Sequence, residues 1–191
     1  VAGDGFYVTM GCGIKAEAKK VGNVSINIQG PSQFDATLQN PIIQSVTAAK
    51  PDALLIAPDD VSASQADVDQ AIAAGIKTVL VDTTLKDPSK AVSQISSDNT
   101  AGGTAAFTAI KELVPGGGKV LVVNTKPGSS TTDERTDGFA AAAKDDSSFN
   151  SGGVQVDQDS APLAAHGPGA APRKHPATVR TCHPHPFSHP R

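Results

Sequence analysis

The chain has no tryptophan, one tyrosine and two cysteines in 191 residues. So few large aromatics beside abundant glycine and alanine imply helix and strand layers packed closely on small side chains. Cys12 and Cys182 are too few and too far apart to form a disulfide framework, so they leave the redox compartment open. No run of about 20 apolar residues is present to make a membrane-spanning helix. No secretory leader opens the stretch either, which is compatible with a mature exported chain. Acid is missing from residues 160–191, which carry four basic residues, while residues 1–159 hold all 19 acids against 12 Lys or Arg. A body that acidic gives no reason to expect a nucleic-acid partner. Phosphate-loop spacing is lacking as well: GPGAAP at 167–172 and the glycines at 116–118 do not have it, and the early GDG has no strand-to-helix context.

What is present is organised around Lys50 to Asp82. PDALLIAPDD holds a compact apolar run, VSASQADVDQAIAAG has a helical period, and IKTVLVD is a second apolar run ending in an acid. Two buried parallel strands joined by a helix are the economical reading. A right-handed crossover brings Pro58–Asp60 and Asp82 to one sheet edge, where open α/β sheets bind ligands.

Before that unit, Phe6–Val21 has the spacing of a helix, with Met10, Ile14 and Ala18 four apart and Gly22 as its stop. Val24, Ile26 and Ile28 alternate with polar residues as a strand would. Asp35 is placed to cap a helix carrying Leu38, Ile42, Ile43 and Val46. Pro41 predicts a kink or a late start there. After the unit come a polar loop over 83–90, a brief strand near 92–95, a helix over about 101–113 and a strand over 119–123. A helix from Asp133 to about Ala143, capped by Asp133 or Thr132, and a short strand at Val154–Val156 follow. Strands and helices alternate for about 150 residues, which predicts an α/β protein.

Beyond about Asp159 the composition changes. All five His and seven of the 14 Pro residues lie in 160–191, with no helical or strand periodicity. Too few apolar groups remain to offset ordering entropy, so a disordered Pro/His-rich tail over 157–191 is expected. Cys182, His183, His185 and His189 are metal ligands in chemical kind, but proline separates them and no scaffold is evident, so no metal site is expected. Asp133 and Glu134 are adjacent on a helix and do not face the same side, which argues against acid/base chemistry.

Phe6–Tyr7, GPSQFDA at 30–36, PDALLIAPDD at 51–60, the run from Ala74 to Asp82, SDNTAGG at 97–103 and SSTTDERTDGF at 129–139 together carry a resemblance. Over about residues 1–156 the chain resembles the ribose-type periplasmic sugar-binding proteins of bacterial ABC importers. The resemblance implies an incomplete type 1 periplasmic-binding-protein fold, with doubly wound parallel-sheet lobes. One lobe, lacking its first strand, spans 1–97 and a partial second lobe spans 98–156. It further implies reversible binding of a monosaccharide without catalysis or cofactor, by a monomer that presents the sugar to an ABC permease. Such a protein is periplasmic or extracellular, with lipid anchoring before processing left open.

Position by position, Phe6 and Tyr7 match the aromatic pair that stacks on a sugar ring. Asp82 matches a strand-end carboxylate that grips hydroxyls, and Arg135 matches an arginine from the second lobe. Ser97 matches the region where the chain crosses between lobes; Asp59 and Asp60 fall in a loop that lines the cleft. These residue types suit the task, because carboxylates accept hydroxyl hydrogens, arginine donates, and a ring covers the sugar's apolar face. Plainer roles stand beside these: Phe6 as a core aromatic, Arg135 as a surface helix residue, Asp59 and Asp60 as helix caps or a solvated turn. The chain departs from the family where Thr83 and Ala57 replace common ligand residues, where Pro41 interrupts a helix, and where only Val1–Gly5 precedes the aromatic pair. A ligand-sensing domain of a transcription regulator and a nonfunctional truncated fragment are the alternatives.

Overall fold

In the computed structural model, residues 2–157 are described. The expected disordered tail and its Cys/His group lie outside the described residues. Two compact units divide the chain, one running to Gln33 and the other beginning at Phe34.

The first unit is built on α1, Gly5–Val21. Asp4 caps it: its carboxylate accepts hydrogen bonds from the amides of Phe6 and Tyr7 at 2.9 and 3.2 Å, satisfying donors the first turn cannot use. Gly22, at φ +72°, ends it as expected. The alternating segment after it is not a strand. Val24, Ile26 and Ile28 run as irregular chain, 48, 37 and 49 % exposed. Alternation favours an extended backbone, but a strand exists only through a ladder, and no described strand pairs with this segment.

In the second unit, α2 spans Ala36–Ala48 with Asp35 accepting from the Thr37 amide at 2.8 Å. Pro41 lies inside α2 and does not delay its start, because the cap at Asp35 and the buried stripe Ala36, Gln39 and Ile43 hold the first turn. Next come β1 (Ala53–Ile56), α3 (Gln65–Ala73), β2 (Lys77–Val81) and β3 (Ser93–Ile95), forming a three-stranded parallel sheet in the order β1-β2-β3. Leu54 pairs with Thr78 and Ile56 with Leu80, so alternate side chains share one face. On that face Ile56 and Leu80 join Ile43 of α2, Val68 of α3 and Leu85 in the core. The apolar run at 53–57 suggested burial on both faces. Instead Leu55 stays 49 % and Ile95 64 % exposed, because α2 and α3 contribute to one face only.

The chain then forms α4 (Asn99–Leu113), β4 (Gly118–Asn124), α5 (Ser130–Ala143) and β5 (Phe149–Val156), the two strands pairing in parallel. Phe107 of α4, 3 % exposed, meets Phe139 and Phe149 edge-on, each with ring centroids 5.4 Å apart. Two elements differ from expectation. β5 begins at Phe149 rather than near Val154, since the Phe107 contact draws Phe149 into the sheet. α5 begins at Ser130, with no side-chain bond from its cap Ser129. Asp133 is therefore inside the helix, its carboxylate free to reach back beyond the first turn.

Candidate functional site

Parallel pairing puts the ends of β1 and β2 on one edge, as the sequence predicted. The turn after β1 contains Pro58, Asp59 and Asp60; that after β2 contains Asp82, Thr83 and Thr84. The Thr83 hydroxyl donates to the Pro58 carbonyl at 2.8 Å and ties the two turns together. Asp82 adopts φ +64° while its amide donates to Ile95 O at 2.8 Å, carrying the ladder one residue past the strand. That left-handed conformation suits Asp better than branched side chains. It leaves the Asp82 carboxylate half-buried at the rim.

The neighbouring acids have different roles. Asp60 caps a turn: its Oδ1 accepts from the amides of Ser62 and Ala63 at 2.9 and 2.8 Å. Asp59 is 2 % exposed and its Oδ2 makes no hydrogen bond. Its amide donates to Gln39 Oε1 at 2.8 Å, while Gln39 Nε2 donates to the Ala57 carbonyl at 2.8 Å. One α2 side chain thus clamps both sides of the turn. Burial pushes the Asp59 carboxyl up to about 6 from the ordinary 3.8, against the downward pull of Lys126.

A buried acid of this kind binds its proton more tightly folded than unfolded. Stability is greatest below the unfolded value and falls as pH rises from about 4 through 6, after which the charged form is carried at full cost. The difference is on the order of 2–3 kcal/mol. Asp59→Asn is expected to remove most of that slope in urea unfolding between pH 4.5 and 7.5 and to be the more stable protein at pH 7.5. Parallel pH profiles would refute this assignment.

The opposing rim follows β4. Asp133 reaches back from α5, accepting from Asn124 Nδ2 at 3.1 Å and from the Gly128 amide at 2.8 Å. The Thr125 and Thr132 hydroxyls lie 3.0 Å apart. Among the described residues, the braced loop meets the segment before α2 and the first sheet's rim at three points. Lys126 Nζ stands 5.2 Å over the Phe34 ring, the Val61 amide donates to Gly128 O at 3.0 Å, and the Thr84 amide donates to Ser130 Oγ at 2.9 Å.

Of the residues singled out from sequence, Asp59, Asp60 and Asp82 share the first rim. Arg135 lies on exposed α5 surface and lines a hollow of about 250 Å³ with Gly103, Val122, Asn124, Thr132 and Phe139; Asp82 does not line it. Ser97 is exposed, its carbonyl accepting from Asn99 Nδ2 at 3.1 Å, and that amide also approaches Glu134 Oε2 at 3.3 Å. Asp98 caps α4 through the Ala101 amide at 2.9 Å. Phe6 and Tyr7 belong to the first unit, where their rings meet edge-on at 5.2 Å and Phe6 is 56 % exposed. Sequence reading missed Gln39, Gly128 and Ser130. Gln39 had a signal: it is the polar member of the apolar stripe formed with Ala36 and Ile43.

The half-buried acids Asp60 and Asp82 put carboxylate groups at the rim, the acceptor type that suits a hydroxyl-rich ligand. Among the described residues no group of three or more His, Cys, Asp or Glu side chains is placed to hold a metal. No described helix is long and apolar enough to cross a membrane.

Comparison with known proteins agrees with this arrangement. The periplasmic binding protein domain family profile matches residues 1–166. The ribose import binding protein of Bacillus subtilis (strain 168) is 35% identical over 134 residues, covering 70% of this chain and 43% of that protein. An ABC transporter solute binding protein from Agrobacterium vitis, solved with alpha-D-tagatopyranose, superposes with a TM-score of 0.82 at 34% identity, covering 86% of this chain and 58% of that one. A second from Agrobacterium vitis, solved with D-fucose, gives 0.79 at 28% identity, covering 83% and 56%. The chain therefore spans about half the length of the proteins it matches.

Proposed function

The chain belongs to the periplasmic binding protein domain family, and from that membership we propose that it is the substrate-binding component, or part of one, of a bacterial ABC sugar importer. It takes a monosaccharide reversibly and without chemical change, between a lobe over 1–97 and a lobe over 98–156. The observation that carries this reading is the meeting of two strand-end rims. The turns after β1 and β2 face the loop after β4 through the Val61–Gly128 and Thr84–Ser130 hydrogen bonds. The carboxyl ends of parallel strands are where α/β folds place ligands, and a junction of two such rims offers a cleft.

In this reading Asp82 accepts sugar hydroxyls, Ser97 lies at the crossing, and Asp59 and Asp60 belong to the cleft wall; Arg135, whose hollow Asp82 does not line, is assigned as a donor by the family resemblance alone. Phe6 and Tyr7 are assigned as ring-stacking aromatics by the family resemblance alone. The relatives include a ribose import binding protein and solute binding proteins solved with tagatopyranose and fucose, small polyhydroxylated rings that one such site suits. The protein acts as a monomer in the periplasm or outside the cell and hands its sugar to an ABC permease.

Calorimetric titration with D-ribose, D-tagatose, D-fucose and D-arabinose tests this. Saturable one-to-one binding of at least one sugar is expected, with the sugar recovered unchanged. A folded, monodisperse sample that binds none of them would overturn it.

A further inference from the structure

Among the described residues, the β4–α5 loop reaches the segment before α2 and the turns after β1 and β2 at three points, and the sugar-binding reading gives none of the three groups it places there a ligand role. We propose that Lys126, Gly128 and Ser130 form a latch whose engagement with Phe34, Val61 and Thr84 holds the two rims together and so sets sugar affinity. This rests on the sugar-binding reading and adds positioning residues to it.

The loop is prepared for the role before it meets its partners. Asp133 holds Asn124 and the Gly128 amide at 3.1 and 2.8 Å, so the Gly128 carbonyl and the Ser130 hydroxyl are presented without a further ordering cost. On the facing rim, Gln39 clamps the turn before Val61, and the Thr83–Pro58 bond holds the turn containing Thr84. Two braced loops therefore meet through single hydrogen bonds of 3.0 and 2.9 Å and one cation over a ring at 5.2 Å.

Gly128 is the residue that permits the approach. It stands at φ +94°, and a Cβ there would lie 2.5 Å from Asp60 Oδ2. Asp60 cannot readily swing aside, because its other oxygen receives the Ser62 and Ala63 amides. Any side chain at 128 thus presses the rims apart. Contacts this few suit a reversible device: one neutral hydrogen bond changes an equilibrium by about two- to tenfold. A ligand closing a cleft needs only a modest bias between open and closed states.

The test uses the full chain, with amide exchange followed by nuclear magnetic resonance and D-ribose, D-tagatose, D-fucose and D-arabinose as probes. Ser130→Ala is expected to weaken binding of the sugar that binds by about fivefold and to speed exchange of the Thr84 amide. Ser130→Thr keeps the hydroxyl and is expected to restore both. Gly128→Ala is expected to weaken binding by about tenfold or more and to speed exchange at Val61. If it fails to fold, the Ser130 pair decides alone. Should the unaltered protein bind sugar while Ser130→Ala matches it in affinity and in Thr84 exchange, the latch is overturned and the sugar-binding reading stands. Should the unaltered protein bind no sugar, that reading falls and the affinity role falls with it. Thr84 and Val61 exchange without sugar then shows separately whether the rims are held together.

Discussion

Replacing Asp82 by asparagine is expected to raise the Kd for the bound sugar by roughly thirtyfold to several thousandfold, the equivalent of about 2–5 kcal/mol. Asparagine keeps the side chain's size and tolerates the left-handed conformation that Asp82 holds at φ +64°. It loses the charge and one acceptor, so sugar hydroxyls taken from water are left with a poorer partner. The backbone bond from residue 82 to Ile95 O does not use the side chain, so the ladder is kept, and the thermal midpoint of the free variant, measured alongside, separates lost affinity from lost stability. Asp82→Gly supplies a second control, because glycine relieves the backbone and should still fail to bind. Undiminished affinity in Asp82→Asn, read by the same calorimetry, would remove Asp82 from the site.

The second large effect concerns folding. Gly103 of α4 and Gly138 of α5 let the two helices touch backbone to backbone. A Cβ at 103 would run into the Arg135 carbonyl oxygen and stand 2.7 Å from the Phe139 nitrogen; one at 138 would run into the Thr100 carbonyl. None of these neighbours is the movable end of a side chain. Gly103→Val is therefore expected to cost about 3 kcal/mol or more in urea unfolding, at or beyond the upper end for overpacking. Separating the helices would also disturb the edge-on contact of Phe107 with Phe139. Gly102 is a built-in comparison: a Cβ there meets nothing within 4 Å, so Gly102→Ala should be harmless or slightly stabilising. Equal stability of Gly103→Val and Gly102→Ala would show that the helices have room to spare.

Much of the fold was legible because its signals are local. The cap at Asp35, the stop at Gly22, the helical stripe in α1 and the two apolar runs around α3 each depend on residues within one or two turns of each other. The parallel unit from Ala53 to Val81 followed from those pieces and the handedness of crossovers. Legibility failed wherever a distant partner decided. Val24–Ile28 has the alternation of a strand and no ladder. Phe149 lengthened β5 through contact with Phe107. Local pattern offers Asp133 or Thr132 as the cap of α5, whereas the helix starts at Ser130 and Asp133 braces a loop from within it.

The candidate site divides the same way. Asp82 at a strand end was readable, since the position follows from the apolar run before it. That Asp60 caps a turn while its neighbour Asp59 is buried and pushed up to about 6 was not, for both are acids in one loop and only packing distinguishes them. The chain's own order established an acidic α/β protein with a ligand-type strand edge, because periodicity and capping are short-range. Which loops face each other across that edge, and which glycines make room for it, was decided in three dimensions. Contacts such as Thr84 with Ser130, 46 residues apart in sequence, have no local pattern to announce them.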